Sequence, residues 1–186
     1  MSCYEALAGS YDALTEDVGY GKRLDFIEKL LCRSRIPVKL VLDLACGTGT
    51  MTWLLTGRGY ELIGVDGSEE MLAAAMSKGG TVQGVPPIFL HQSMPQLDLY
   101  GTVDAAICCL DSLNYLTDPA DVRRTFRRLH LFVAPGGVLV FDVNTVAKLA
   151  ALDGQVFLDE TEDTYCVWRA EYHRGLCTCL LYTSDA

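Results

Sequence analysis

The sequence predicts an α/β fold: a doubly wound, mostly parallel sheet with helices on both faces, followed by a partial antiparallel segment. Three observations predict it. Short apolar runs alternate with stretches of helical period, as in strand-helix-strand units joined by crossovers. The first run, Val38 to Leu44, is nearly continuous in Val and Leu, as expected of a strand covered on both faces. Past residue 150 the pattern changes, and VFLDETEDTYCVWRAEYHRGLCT alternates polar with apolar and aromatic residues, which suits antiparallel strands placed as a cover over the site.

Each element has its own warrant. Leu24, Ile27, Leu30 and Leu31 recur at helical spacing and predict a helix over 21–33, closed before Pro37. Val38–Leu44 is the first strand, and Thr48–Thr56 follows as a helix stopped by Gly57 and Gly59. ELIGVD at 61–66 is the second strand, and 68–78 a helix with Ser68 as N-cap. PIFLHQ and VDAAICCL (103–110) are the third and fourth strands. The helix that follows has Asp118 as cap and Pro119 at its first position, and its predicted buried stripe is Val122, Phe126, Leu129 and Val133. APGG (134–137) then turns the chain into the fifth strand, VLVFDV.

A chain of 186 residues, half of them apolar, suffices for one domain with a sizeable core. No apolar run approaches the roughly 18 to 20 residues of a membrane span, and MSCYEALAGSYD lacks a basic-then-apolar export signal, so a cytoplasmic protein without membrane partners is expected. The net charge of −9 opposes nucleic-acid binding, which needs clustered Lys and Arg. In RRTFRR (123–128) the arginines flank Phe126, as on a solvated helix face. The eight cysteines fall mostly inside apolar runs and are expected as reduced, mainly buried thiols. His173, Cys177 and Cys179 lack a second ligand pair of zinc-site spacing, so no metal is expected.

The stretch VLDLACGTGT (41–50) breaks from a strand into a glycine loop and then into polar, helix-opening residues. Thr52 stands where a dinucleotide loop has its third glycine, and no Gly-Lys-Ser/Thr follows, so a phosphate ligand is disfavoured. The spacing Asp43-x-Ala45-x-Gly47-x-Gly49 instead resembles the first motif of class I S-adenosylmethionine-dependent methyltransferases. IGVDGSEEML (63–72) resembles their second motif, HQSM (91–94) the adenine-side loop, CCLDSLNYL (108–116) the segment after the fourth strand, and LFVAPGGVLVFDV (131–143) the turn into the fifth. YEALAGSYDALT is similar to the N-terminal segment of a small-molecule subgroup.

The resemblance implies a Rossmann-like fold and S-adenosylmethionine as cofactor. From the first motif it implies contacts through Asp43, Ala45, Cys46, Gly47, Thr48 and Gly49, the glycines letting backbone approach the methionyl part and Asp43 fixing the loop or meeting the ammonium. The second motif contributes Asp66, for the ribose hydroxyls, with Gly67 and Met71. Around the adenine stand Gln92, Ser93 and Met94; Ser93 replaces the usual acid, so its hydroxyl or Gln92 has to accept from the adenine amino group. Cys109, Leu110 and Asp111 belong to the same set, and Tyr4 and Tyr11 match positions that cover the cofactor in relatives. Asp111, Asn114, Tyr115, Asp142 and Asn144 are candidates for contacting the acceptor, Asn114 and Asp142 better suiting hydrogen bonds within their loops. DSLNY lacks the Asn/Asp-Pro-Pro-aromatic signature of DNA amino methylation, which with the acidic charge points to a small-molecule acceptor.

The residues leave rivals open. The glycines also suit a tight strand-to-helix connection, Asp66 a helix cap, and Met71 and Met94 core filling. A glycine loop with an acid about 20 residues later also describes nicotinamide oxidoreductases, and a non-catalytic cofactor-binding module, or a fragment inactive through truncation, is the third possibility. The last eight residues, CLLYTSDA, resemble the in-frame translation of a transposase adapter used in sequencing libraries. Residues 179–186 are therefore excluded from the fold expectation, leaving 1–178 as one domain, incomplete at its C-terminus, whose native gene continues differently after about Thr178.

Overall fold

A computed structural model describes residues 11–15, 19–79, 84–160 and 164–185. Helix α1 (Tyr11–Leu14) is one turn, and α2 (Tyr20–Leu31) buries Leu24, Ile27 and Leu31 on one face. Five parallel strands form the main sheet: β1 (Leu40–Leu44), β2 (Glu61–Asp66), β3 (Ile88–His91), β4 (Val103–Cys108) and β5 (Val133–Phe141). Their order is β3-β2-β1-β4-β5, so the direction of winding reverses beside β1. Three helices connect them: α3 (Thr50–Gly57), α4 (Glu69–Ser77) and α5 (Pro119–Phe132).

The strands read as apolar runs because both faces are covered. Leu42 and Leu44 of β1 join Ala106 and Cys108 of β4 in a core with Leu129 and Phe132 of α5. The alternate residues, Val41, Ala105 and Ile107, join Leu24, Ile27 and Leu31 of α2 and Met51 and Leu55 of α3. Burying each such leucine contributes about 1.5–3 kcal/mol.

Caps fix the helix starts as expected. The Ser68 hydroxyl accepts from the Met71 N–H 3.2 Å away, and the Asp118 carboxylate accepts from Ala120 N–H at 2.7 Å. The stripe of α5 differs from the expectation: Thr125, Leu129 and Phe132 are buried, Val122 and Phe126 are only partly so, and Val133 begins β5. Helical rows at three- and four-residue spacing allow either stripe, and the sheet selects the one carrying Phe132. Arg128 also leaves the solvated face, since its guanidinium bonds to the Leu97 carbonyl and Asp98 and stacks 5.0 Å from the Phe132 ring centroid. APGG is not a turn before the strand but a bulge inside it, because Val133 pairs with Val103 and Val138 with Ala105.

After α6 (Val146–Ala151) the chain forms the expected antiparallel unit, with β6 (Val156–Glu160), β7 (Thr164–His173) and β8 (Leu176–Asp185) in that order. The excluded segment takes part in it: Cys179 pairs with Ala170, and β8 continues to Asp185 opposite Thr164. No helix among the described residues is long and apolar enough to cross a membrane.

Candidate active site

The carboxyl ends of β1, β2 and β4 meet where the winding reverses, the place where open α/β sheets take their ligands. Backbone strain collects there. Ala45 and Gly47 after β1 sit at φ 59° and 55°, Gly49 at 71°, and Leu110 and Asp111 after β4 at 58° and 50°. For residues other than glycine such conformations cost about 1–3 kcal/mol each, and they persist where the surroundings fix them.

The two loop glycines serve different needs. A Cβ on Gly49 would lie 2.9 Å from the Ala75 Cβ and 3.2 Å from the Phe89 ring, so its hydrogen lets α3 start against α4 and β3. A Cβ on Gly47 would meet nothing within 4 Å. Gly47 instead donates its N–H to Asp66 Oδ2 at 2.8 Å, while Ser68 N–H donates to Oδ1 at 2.9 Å. Two backbone donors thus orient the Asp66 carboxylate, and each oxygen keeps a lone pair for a ligand.

A cavity of about 500 Å3 opens above these groups. Ala45 and Gly47 line it from the first loop, Asp66 and Gly67 from the second, Ser93 and Met94 from the third, and Leu110 and Ser112 from the fourth. Tyr11 of α1 and Tyr115 line it as well. Asp66, Glu69 and Glu70 are among its lining residues, and no Lys or Arg is among those described. A small side chamber of about 40 Å3 adjoins Tyr11, Asp43, Cys46, Thr48 and Cys109. Asp43 is 1% exposed and accepts from the Thr52 hydroxyl at 2.6 Å. Burial pushes its carboxyl up to about 7, against the Thr52 hydrogen bond and with some help from the Asp66 charge. Burial likewise raises Cys46, Cys108 and Cys109, the Cys108 thiol to about 12, which disfavours the thiolate, and all three are free of disulfides.

A profile of the methyltransferase domain matches residues 41–137, from β1 into β5. YqeM of Bacillus subtilis (strain 168) is 37% identical over 170 residues, covering 90% of this chain and 66% of YqeM. The crystal structure of an S-adenosylmethionine-dependent methyltransferase from Clostridium acetobutylicum ATCC 824 superposes with a TM-score of 0.81 at 30% identity, over 98% of this chain and 74% of that one. The chain belongs to the class I S-adenosylmethionine-dependent methyltransferases. A glycine/sarcosine/dimethylglycine N-methyltransferase from Actinopolyspora halophila is 32% identical over 146 residues, which are 75% of this chain and 25% of that enzyme. The chain spans about two thirds of YqeM's length. The matches give the nicotinamide alternative no support.

The cavity of this methyltransferase fits the family's cofactor. An acidic lining suits a sulfonium and an ammonium, an oriented carboxylate with lone pairs to spare suits a diol, and Gly47 leaves backbone bare. Most of the residues expected at the cofactor therefore come together. Ala45, Gly47, Asp66, Gly67, Met71, Gln92, Ser93, Met94, Leu110 and Tyr11 line the main cavity, and Asp43, Cys46, Thr48 and Cys109 the side chamber. Tyr4 lies outside the described residues.

Other candidates make different contacts. Gly49 lines neither cavity, because its role is the close packing on Ala75 and Phe89. The Gln92 amide is engaged at both ends by the Asp98 backbone, at 3.0 and 2.8 Å, which leaves the Ser93 hydroxyl as the better acceptor on that loop; it donates to Gln96 and keeps its lone pairs. Asp111 does not line the cavity: its Oδ2 accepts from Asn144 Nδ2 at 2.7 Å, and its N–H donates to Asp142. Asn114 and Asn144 bond to each other, through Asn144 N–H to Asn114 Oδ1 at 2.8 Å and back from Nδ2 to the Asn144 carbonyl at 3.3 Å. Asp142 also pairs with Arg23 at 2.9 Å. Of the acceptor candidates only Tyr115 lines the cavity, and none of the described lining residues comes from the antiparallel sheet expected as a cover.

Sequence reasoning missed several lining residues. Glu69, Glu70 and His91 flank the second and third loops, and the adjacency of Glu69 and Glu70 to the VDGS motif was the available signal. The His91 ring lies 2.9 Å from the Gly67 carbonyl and 3.3 Å from Glu69, tying the β2–α4 loop to β3. Among the described residues no three His, Cys, Asp or Glu side chains are grouped to hold a metal.

Proposed function

We propose that this chain transfers a methyl group from S-adenosylmethionine to a nitrogen or oxygen of a small-molecule acceptor. The observation that carries the reading is the Asp66 carboxylate, aimed into the cavity by two backbone donors and bordered by bare backbone at Gly47. Bound there, the cofactor supplies a methyl activated by positive sulfur and a neutral thioether leaving group, so no acid is needed to assist departure. The work left to the chain is alignment and exclusion of water. Asp66 is read as the acceptor for the ribose diol, Ser93 for the adenine amino group, and Met71 and Met94 as the apolar walls of the adenine slot. Asp43, at the side chamber, is read as the group that meets the ammonium end.

A small acceptor is supported by the modest cavity, by the absence of Lys and Arg among its described lining, and by the N-methyltransferase relative, whose name states glycine, sarcosine and dimethylglycine. Tyr115 is the candidate to face that acceptor. The test is a thermal shift with S-adenosylhomocysteine beside NAD, followed by transfer of labelled methyl from S-adenosylmethionine to small amines and hydroxy compounds. Stabilisation by the thioether alone, with label in an amine or ether product, is the expected result. Stabilisation by NAD alone overturns the cofactor reading, and binding with no label transferred to any acceptor leaves a cofactor-binding module.

A further inference from the structure

Helix α1 is a single turn, too short to hold a position by its own hydrogen bonds. One of its side chains, Asp12, ties it to two other elements. The Asp12 carboxylate faces Lys78 Nζ at 2.7 Å from Oδ1 and 2.6 Å from Oδ2. The same Oδ1 accepts from the Thr48 hydroxyl at 2.7 Å and the Thr50 hydroxyl at 3.1 Å, and Lys78 also donates to Thr50 at 2.8 Å. Burial alone raises the Asp12 carboxyl, but Lys78 and the two hydroxyls outweigh it and hold it below its ordinary value. One carboxylate thereby joins three elements: α1, the glycine loop running into α3, and the C-terminal cap of α4. Tyr11, the neighbour of Asp12, lines both the main cavity and the side chamber.

Resting on the reading that the cavity holds the cofactor, we propose that Asp12 and Lys78 are positioning residues that form a clasp, holding Tyr11 over the bound nucleoside thioether, and that opening of this clasp governs how fast that ligand leaves. Thr48 and Thr50 orient the carboxylate toward Lys78. Asp12 and Lys78 line neither the main cavity nor the side chamber, so these two residues act on retention through Tyr11.

The experiment measures association and dissociation of S-adenosylhomocysteine by stopped flow for the wild type, Asp12→Asn, Lys78→Met, the double variant and Lys78→Arg. Wild-type calorimetry with S-adenosylhomocysteine comes first, since failure to bind there refutes the cofactor reading itself. Given binding, the expected result is dissociation faster by roughly tenfold in each single variant, with association changed less than about twofold, because tuning at such a contact falls on the off-rate. The double variant is expected to match the single ones, as two halves of one contact do, and Lys78→Arg to stay near the wild type. The melting temperature without ligand separates this from a general loss of structure. Should a variant fail to fold, the wild type at rising salt serves instead: the pair is partly exposed and its screening is expected to speed release of this overall neutral ligand. Dissociation within twofold of wild type in the variants, additive effects in the double, or salt-independent release overturns the clasp.

Discussion

The two sides of the sheet's carboxyl edge carry similar polar residues and use them in opposite ways. On the β1–β2 side, Asp66 is oriented by Gly47 and Ser68 and still faces the cavity with lone pairs to spare. On the β4–β5 side, Asp111, Asn114, Asp142 and Asn144 bond to one another and to Arg23, and none of them lines that cavity. The difference teaches that residue type does not mark a ligand-facing group. What marks it is hydrogen-bonding capacity left over once the neighbouring backbone has been satisfied. Leu110 and Ser112, the neighbours of Asp111, do line the cavity.

The strongest way to break this contrast is Asp66→Ala. Hydrogen bonds to a charged group contribute about 1.5–3 kcal/mol each, so loss of two to the diol weakens S-adenosylhomocysteine by roughly 100-fold or more in calorimetry. Affinity within a fewfold of wild type removes Asp66 from the ribose role. Next come the two glycines. Gly49→Ala forces a side chain against Ala75 at positive φ and lowers the unfolding free energy by about 2–4 kcal/mol in urea titrations. Gly47→Ala meets open space and costs stability about 1–2 kcal/mol, while its methyl intrudes on the cavity and weakens the cofactor.

A third test sharpens the contrast through pH. Asp43 titrates at about 7 in the folded chain against an ordinary 3.8, so between those values the folded state holds more protons than the unfolded one. Stability contributed by the protonated carboxyl is therefore present at low pH and declines as pH rises from about 4 to about 7. Asp43→Asn is expected to flatten that slope in denaturant midpoints measured across the range; an unchanged slope assigns it to other groups. The smallest effect belongs to the β4–β5 side: Asn114→Ala loses two loop bonds, lowers stability by about 1 kcal/mol and leaves S-adenosylhomocysteine affinity within about twofold.

Local signals were legible wherever one residue type has one physical use. The continuous apolar run of β1, Ser68 before α4 and Asp118-Pro119 before α5 each place an element within a few residues. The first and second motifs likewise placed Asp43, Gly47 and Asp66 at one edge. Tertiary partners were not legible. Gly49 and Gly47 are identical in the chain, and only Ala75 and Phe89, brought up by α4 and β3, separate their roles. Gln92 was a fair candidate for the adenine until the Asp98 backbone took both ends of its amide. Asp12 and Lys78 lie 66 residues apart and meet only because α1 folds across the glycine loop. The buried stripe of α5 and the bulge at APGG depend in the same way on the sheet beneath them.

The most direct measurement is a crystal structure of this chain with S-adenosylhomocysteine. The account predicts the adenosyl group between Met71 and Met94 with both ribose hydroxyls on Asp66, and Asp111 and Asn114 still bonded within their own loops. Density for the thioether away from Asp66, or its ribose held by the β4–β5 loops, would contradict it.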